Sequence, residues 1–497
     1  MTGVQAVDWV ALLPVVAPAA ALLVVLLVEA VRPGLHRALD AVALAGLGVS
    51  GVAVALLGTT GRGTFCATTT TQAGASAQVC SYQVDALTAG LQAVVVLAAI
   101  TSLLLALDGP GARARTEHHV LLLTATTGAL ALAGARDLAT LVVALETAAL
   151  PAVALVALRR DATGAEAALK LLLVQVASLG VLLLGIAMVY VGTGHLHLDL
   201  LAAGGVRDGA GHLVALGAAL AVAGLAFKLS AVPFGFWTPD VYAGSPVPVA
   251  AFLSTVSKAA GLAALLLVLV VGLPATAASW APLVAVLAGV SMTVGNLVAL
   301  RQTRAVRLLA WSTVAQAGWV VLPLAGATAG VGGVGRAAAA AVSYLLAYVV
   351  ATLAAFAVVV LVTRHHVDGA GHDLAAYRGL ARREPVAAAV LGFALACLAG
   401  LPPGVMGLVA KVVALRPVVD AQGWVLGVVA AVNVALGLAY YLRWAALLVA
   451  RPDEGHRPVT WSVTPAEGVA LGAAAAGCLV LSVAPQLLVA VAGNASG

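Results

Sequence analysis

Apolar runs of about twenty residues recur along this chain, and a run of that length crosses a bilayer as a helix that satisfies its own backbone. They lie roughly at 8–28, 39–58, 85–107, 118–134, 138–158, 168–192, 211–231, 247–272, 282–300, 308–328, 337–362, 386–415, 424–446 and 463–490. Charged residues make up 9% of the 497 positions and apolar residues 63%, whereas soluble domains carry roughly 25% charged residues. A water-soluble globule is excluded. The expected fold is an all-α polytopic membrane protein of about 14 transmembrane helices.

Net charge is +5, but the basic residues are scattered among short loops rather than gathered into a patch. That distribution fits membrane orientation and gives no reason to expect nucleic acid. Sixteen arginines, Arg113 and Arg457 among them, fall in alternate loops, and the opposite loops hold only Arg62, Arg136, Arg207, Arg336 and Arg416. By the positive-inside rule both termini are expected outside. No basic residue precedes the first apolar run, while Arg32 and Arg37 follow it, the wrong polarity for a cleaved signal peptide.

Lysine is used differently from arginine. All twenty-one arginines can sit at span ends or in loops, and only four lysines exist: Lys170, Lys228, Lys258 and Lys411. The last three lie well inside apolar runs. A charge at that depth costs several kcal/mol and marks an ion or proton path by default. Lysine can release its proton when desolvated and arginine cannot. Glu146 is the one carboxylate near the middle of a span, with Pro151 five residues on; it reads as part of the path, the alternative being a structural carboxylate tied to a neighbouring helix. Lys170, near the start of span 6, either snorkels to the interface or joins the path.

Prolines interrupt two spans beside these lysines. Pro233 follows Lys228, and Pro402 and Pro403 precede Lys411. Proline breaks a helix, and the freed backbone is tolerated at membrane depth only against protein or water. Spans 7 and 12, five helices apart, are expected to be these broken helices. Matched breaks point to two inverted five-helix repeats, spans 4–8 and 9–13, with a site near the midplane. The chain then divides into N-terminal spans 1–3 (1–117), a first repeat (118–272), a second repeat (282–446) and span 14 (463–497).

Uncharged polar residues line matching helix faces: Ser254 with Lys258, Ser312 with Gln316, and Tyr344 with Tyr348, each pair four apart. Such faces suit either a water chain or interhelical hydrogen bonds. Cys66 and Cys80 share an outside loop and are expected to bridge, two free thiols being the alternative. Cys397 and Cys478 fall in apolar spans as packing residues. His195, His197 and Asp199 read as a solvated loop, with weak metal binding by His-x-His as the alternative, and no cysteine–histidine spacing suggests a metal or an iron–sulfur cluster.

The stretch FKLSAVPFGFWTPDVYAGSPVPVAAFLSTVSKAAG resembles the signature of the antiporter-like membrane subunits of proton-pumping NADH:quinone oxidoreductase, respiratory complex I. ALETAALPAVALVALRRD with EAALKLLL, QTRAVRLLAWSTVAQAGW, DLAAYRGLARREP with LAGLPPG, and AYYLRW extend the resemblance, in order, over nearly the whole chain. The lysine of span 12 resembles subunit N rather than subunit M. The resemblance implies an enzyme subunit that translocates protons through Glu146, Lys228, Lys258 and Lys411 and holds no redox centre. NADH, flavin, iron–sulfur clusters and quinone are implied for partner subunits of a hetero-oligomer in the bacterial plasma membrane. The family's usual histidines are replaced by Gly235 and Gln316, and Lys411 stands one residue further from its prolines. Glycine is expected to leave room for water at position 235. The rival readings are a subunit of a multisubunit sodium/proton antiporter, and a scaffold subunit of a ferredoxin-fed complex that does not pump.

Overall fold

The computed structural model describes residues 7–58, 60–70, 76–107, 115–327, 331–366, 370–451 and 462–494. Arg113 and Arg457 lie outside the described residues. The first helices are α1 (Trp9–Val31), α2 (His36–Leu57), α3 (Ala86–Ala106), α4 (Arg115–Gly134), α5 (Leu138–Ala157) and α6 (Ala162–Thr193). A short α7 (Leu198–Gly204) leads to α8 (Gly211–Leu229), α9 (Thr238–Gly244) and α10 (Val247–Leu266). Then follow α11 (Ala277–Ala299), α12 (Ala305–Val321), α13 (Val331–His365) and a single turn, α14 (Leu380–Arg383). The last are α15 (Pro385–Ala399), α16 (Val405–Asp420), α17 (Trp424–Val449), α18 (Pro465–Val483) and α19 (Gln486–Asn494). Among the described residues, twelve helices are long and apolar enough to cross a membrane. This is an all-α polytopic membrane fold.

Local chemistry sets several helix starts. Asp8, Asp85, Asp137 and Asp161 each accept N–H donation in the first turn of the helix they precede, replacing the partners a helix start lacks. Thr464 and Glu467 form a reciprocal capping box on α18. Asp161 also explains why α6 starts six residues before the expected span.

Burial sorts the helices into a core and a shell. In the apolar windows of α10, of α12 with the turn that follows it, and of α13, 89%, 89% and 94% of residues are buried, against 28% for α6 and for α17. Helices apolar on all sides belong inside, and those buried on one stripe face lipid or neighbouring chains. The shell still packs closely. A Cβ at Gly185 of α6 would lie 2.7 Å from Gly217 O of α8, so the two backbones meet where only small residues fit.

Two segments depart from the sequence expectation. The loop read between spans 2 and 3 is an antiparallel hairpin, β1 (Arg62–Thr70) and β2 (Ser76–Val84), with Cys66 opposite Cys80. The two sulfurs are bonded. The run 386–415 breaks as expected at Pro402 and Pro403 into two helices, α15 and α16. The run 463–490 is also two, because Pro485 has no N–H to continue α18.

Candidate functional site: the buried lysine axis

Both proline breaks end the preceding helix in the same way. Ser230 follows α8 with φ +64°, its N–H bonding to Phe227 O at 3.0 Å while Ala231 N–H reaches Ala226 O at 2.9 Å. Gly400 follows α15 with φ +79°, its N–H bonding to Cys397 O at 3.2 Å while Leu401 N–H reaches Ala396 O at 3.0 Å. Each is a left-handed cap that leaves carbonyls of the last turn without a helical partner.

A buried lysine amine takes up those carbonyls at each break. Lys258 Nζ donates to Lys228 O at 3.3 Å and to Ser230 Oγ at 2.5 Å. Lys411 Nζ donates to Leu398 O at 3.1 Å and to Ala399 O at 2.5 Å. A tryptophan face completes each site: Trp237 lies 4.8 Å from Lys258 Nζ and Trp319 lies 5.6 Å from Lys411 Nζ. Helix C-termini and ring faces both attract cations. Lys258 and Lys411 are 2% and 8% exposed, so these contacts stand in for water.

Lys228 is arranged differently. It is buried, and its Nζ makes no hydrogen bond or ion pair among the described residues. It lines a cavity of about 10 Å³ together with Glu146, Gln175, Ser178 and Phe227, close to the smallest space that holds one water. Glu146 lines the same cavity, half-buried, and accepts a hydrogen bond from Gln175 Nε2 at 3.2 Å. Lys228 and Glu146 thus border one water-sized gap without an ion pair between them.

The polar faces meet between the two capped lysines. Tyr348 OH donates to Ser254 O at 2.9 Å and to Thr313 Oγ1 at 3.1 Å. One turn along α13, Tyr344 OH donates to Gln316 Oε1 at 2.5 Å. Gln316 Nε2 donates to Tyr441 OH at 3.2 Å and to Leu398 O at 3.3 Å, the latter being the carbonyl that also receives Lys411 Nζ. Tyr441 OH is 2.5 Å from Ser312 Oγ. Ser254 Oγ itself turns back onto Ala251 O at 2.8 Å. The residues singled out from the sequence are thus brought together along α10, α12, α13 and α16.

Gly235 corrects one expectation. A Cβ built there would run into Ser230 O, so the glycine permits close backbone approach and leaves no space for water or for an imidazole. Lys170 lies at the surface, with 45% of its side chain exposed, paired to Glu166 Oε1 at 2.7 Å and Asp240 Oδ2 at 3.2 Å. That is the interfacial alternative. Arg136 stands at a helix end yet is 1% exposed, paired to Asp85 at 2.6 Å. His197 is half-buried at the start of α7, its Nδ1 enclosed and without a hydrogen-bond partner among the described residues. No group of three or more His, Cys, Asp or Glu able to hold a metal occurs among the described residues.

Sequence reading missed Ser230, Thr238 and Tyr441. Thr238 Oγ1 donates to Ser230 Oγ at 2.6 Å, beside Lys258. Asn433, Tyr440, Tyr441 and Trp444 recur at helical spacing on an otherwise apolar span, and that period was the available signal for the α17 contribution.

A family model described as NADH:quinone oxidoreductase/Mrp antiporter, TM, matches residues 135–437. The NADH-quinone oxidoreductase subunit N 2 of Streptomyces griseus is 45% identical over 471 residues, which cover 93% of this chain and 86% of that protein. Subunit N of Salinispora tropica is 45% identical over 462 residues, covering 90% and 86%. A chain of respiratory complex I from Thermus thermophilus, solved with bound aureothin, superposes with a TM-score of 0.79 at 32% identity, covering 96% of this chain and 98% of that one. A chain of the Mrp complex from Dietzia shares the fold with a TM-score of 0.81 at 23% identity, covering 98% and 97%. The chain belongs to the NADH:quinone oxidoreductase/Mrp antiporter transmembrane family, in the branch of the NADH-quinone oxidoreductase subunits N.

Proposed function

We propose that this chain is a proton-translocating membrane-arm subunit of an NADH:quinone oxidoreductase, coupling quinone reduction in partner subunits to proton transfer through Glu146, Lys228, Lys258 and Lys411. The observation that carries the reading is the pair of buried lysine amines on the freed carbonyls of two broken helices. A static scaffold needs no charge there, since neutral donors or an unbroken helix would satisfy the same backbone at lower desolvation cost. Glu146 serves as the movable countercharge for Lys228 across the small cavity. Ser254, Ser312, Gln316, Tyr344 and Tyr348, joined by Tyr441, form the polar link from Lys258 to Lys411, and Pro233, Pro402 and Pro403 create the carbonyl sites.

Counting α4 and the α15–α16 pair with the twelve apolar helices supports fourteen crossings, and the shared capping pattern at Ser230 and Gly400 supports repeats over 118–272 and 282–446. In this reading the arginine-rich end faces the cytoplasm, both termini lie outside a bacterial plasma membrane, and NADH, flavin, clusters and quinone reside in other subunits. The relatives at 45% identity are oxidoreductase subunits, which favours this function over a sodium/proton antiporter. The test is proton pumping by the purified complex carrying Lys411→Ala. Retained quinone reduction with pumping reduced several-fold is expected. Undiminished pumping would leave the scaffold reading standing.

A further inference from the structure

At the arginine-rich end, a cavity of about 500 Å³ opens among the ends of α3, α5 and α13 and the starts of α4, α10 and α18. Its size is that of a small-ligand site. Three guanidinium groups line it, from Arg115, Arg159 and Arg364, with the imidazoles of His118, His119 and His372. The one lining carboxylate, Glu467, is already engaged. It takes Arg364 Nη1 at 2.6 Å, and its other oxygen takes Thr464 N and Oγ1, each at 3.1 Å. Asp40 and Asp161, outside the lining, pair with Arg115 and Arg159 at 3.0 and 2.8 Å, so each guanidinium meets a carboxylate and the pull on an anion comes from spare donors rather than from excess charge.

The guanidinium heads are held but not exhausted. Arg115 Nη1 donates to Asp40 Oδ2 at 3.0 Å and its Nη2 to Leu107 O. Arg159 Nε donates to Asp161 Oδ2 at 2.8 Å and its Nη1 to Ala243 O at 2.7 Å. Arg115 Nε, Arg159 Nη2, and Arg364 Nε and Nη2 have no acceptor among the described residues, and His118 and His372 make no hydrogen bond there. The floor is the start of α10, which has no side-chain cap and in which Pro248 carries no N–H. Its uncapped first turn adds free N–H donors and the positive end of a helix dipole. Pre-oriented guanidinium forks with spare donors match phosphate oxygens, and basic pockets between membrane helices on the cytoplasmic side suit lipid headgroups.

We propose that this cavity binds one phosphate-bearing anion, held by Arg115, Arg159 and Arg364 over the start of α10, with either an anionic phospholipid headgroup or free phosphate as its source. The site lies apart from the lysine axis: Lys258 is eleven residues into α10 from Val247, about 16 Å along its axis. The experiment uses the full chain in nanodiscs, with bound molecules counted by native mass spectrometry. One arm titrates inorganic phosphate into phosphatidylcholine discs, and the other dopes the discs with phosphatidylglycerol. One molecule per chain in either arm supports the site, saturation by phosphate identifying a soluble source and retention of phosphatidylglycerol alone a lipid source. The double variant Arg159→Gln/His372→Ala avoids the buried Arg364–Glu467 pair and should weaken binding about tenfold or more. Its thermal midpoint should stay within a few degrees of wild type. Neither probe binding, or a folded double variant binding as wild type does, would overturn the proposal.

Discussion

Lys258 caps the helix that carries Lys228: its Nζ donates to the Lys228 carbonyl at 3.3 Å. The two lysines are thus coupled through backbone, with the amine of one held at the broken end of the other's helix. Lys411 repeats the arrangement on Leu398 O and Ala399 O. A deprotonated amine still donates to these acceptors, so the cap survives proton release while its strength changes with charge. That gives the break a means of responding to protonation.

Lys258→Met keeps the length of the side chain and removes the donor. Lys228 O and Ser230 Oγ then lose their charged partner, a loss of about 1.5–3 kcal/mol. The expected result is a lower thermal midpoint for the purified chain together with abolished pumping in the complex. An unchanged midpoint would show that the cap contributes nothing to the fold.

Gln316 ties three acceptors or donors together, from Tyr344, Tyr441 and Leu398. An amide donates and accepts without titrating, so in the proposed path protons pass it through water. Gln316→Leu strands the Tyr344 hydroxyl, leaves Tyr441 OH with Ser312 alone, and is expected to cut pumping several-fold, whereas Gln316→His should retain most of it. Full pumping by the leucine variant would remove Gln316 from the link.

At Gly235 even a methyl group meets Ser230 O. Gly235→Ala should destabilise by about 1–3 kcal/mol, as overpacking does, and Gly235→His by more, despite histidine being the residue expected there from the family resemblance. Yield and thermal midpoint of the two variants provide the check. Wild-type behaviour of the histidine variant would mean that the Ser230 turn moves freely.

Asp161 is held below the ordinary carboxylate range, first by Gly164 N–H donation at 2.6 Å and then by Arg159. Its contribution is therefore present above the unfolded-state value of about 3.9 and lost as pH falls through the lower folded value. Asp161→Asn keeps a cap but removes the titration. The acid side of its melting-midpoint curve should be flatter than that of wild type.

The three central lysines and the broken helices were legible because a buried charge and a mid-span proline are each costly and rarely incidental. Ser230 and Tyr441 were not, because hydroxyls in apolar helices are common and their partners come from distant helices. Gly235 misled for a physical reason: a missing side chain marks either space or close backbone approach, and sequence does not separate the two. The hairpin was missed because a threonine-rich segment between spans reads as polar loop, although its β-branched run carries strand preference.

Lys228 is the one central lysine whose amine is uncommitted, bordering with Glu146 a cavity of about 10 Å³. If it loads and releases a proton as that gap closes and opens, arginine cannot replace it, because arginine keeps its proton. The direct measurement is the ratio of protons pumped to electrons transferred by the intact complex carrying Lys228→Arg, with quinone reduction as the control for assembly. The account predicts retained quinone reduction with pumping by the variant reduced several-fold or lost. Pumping at the wild-type ratio would contradict it.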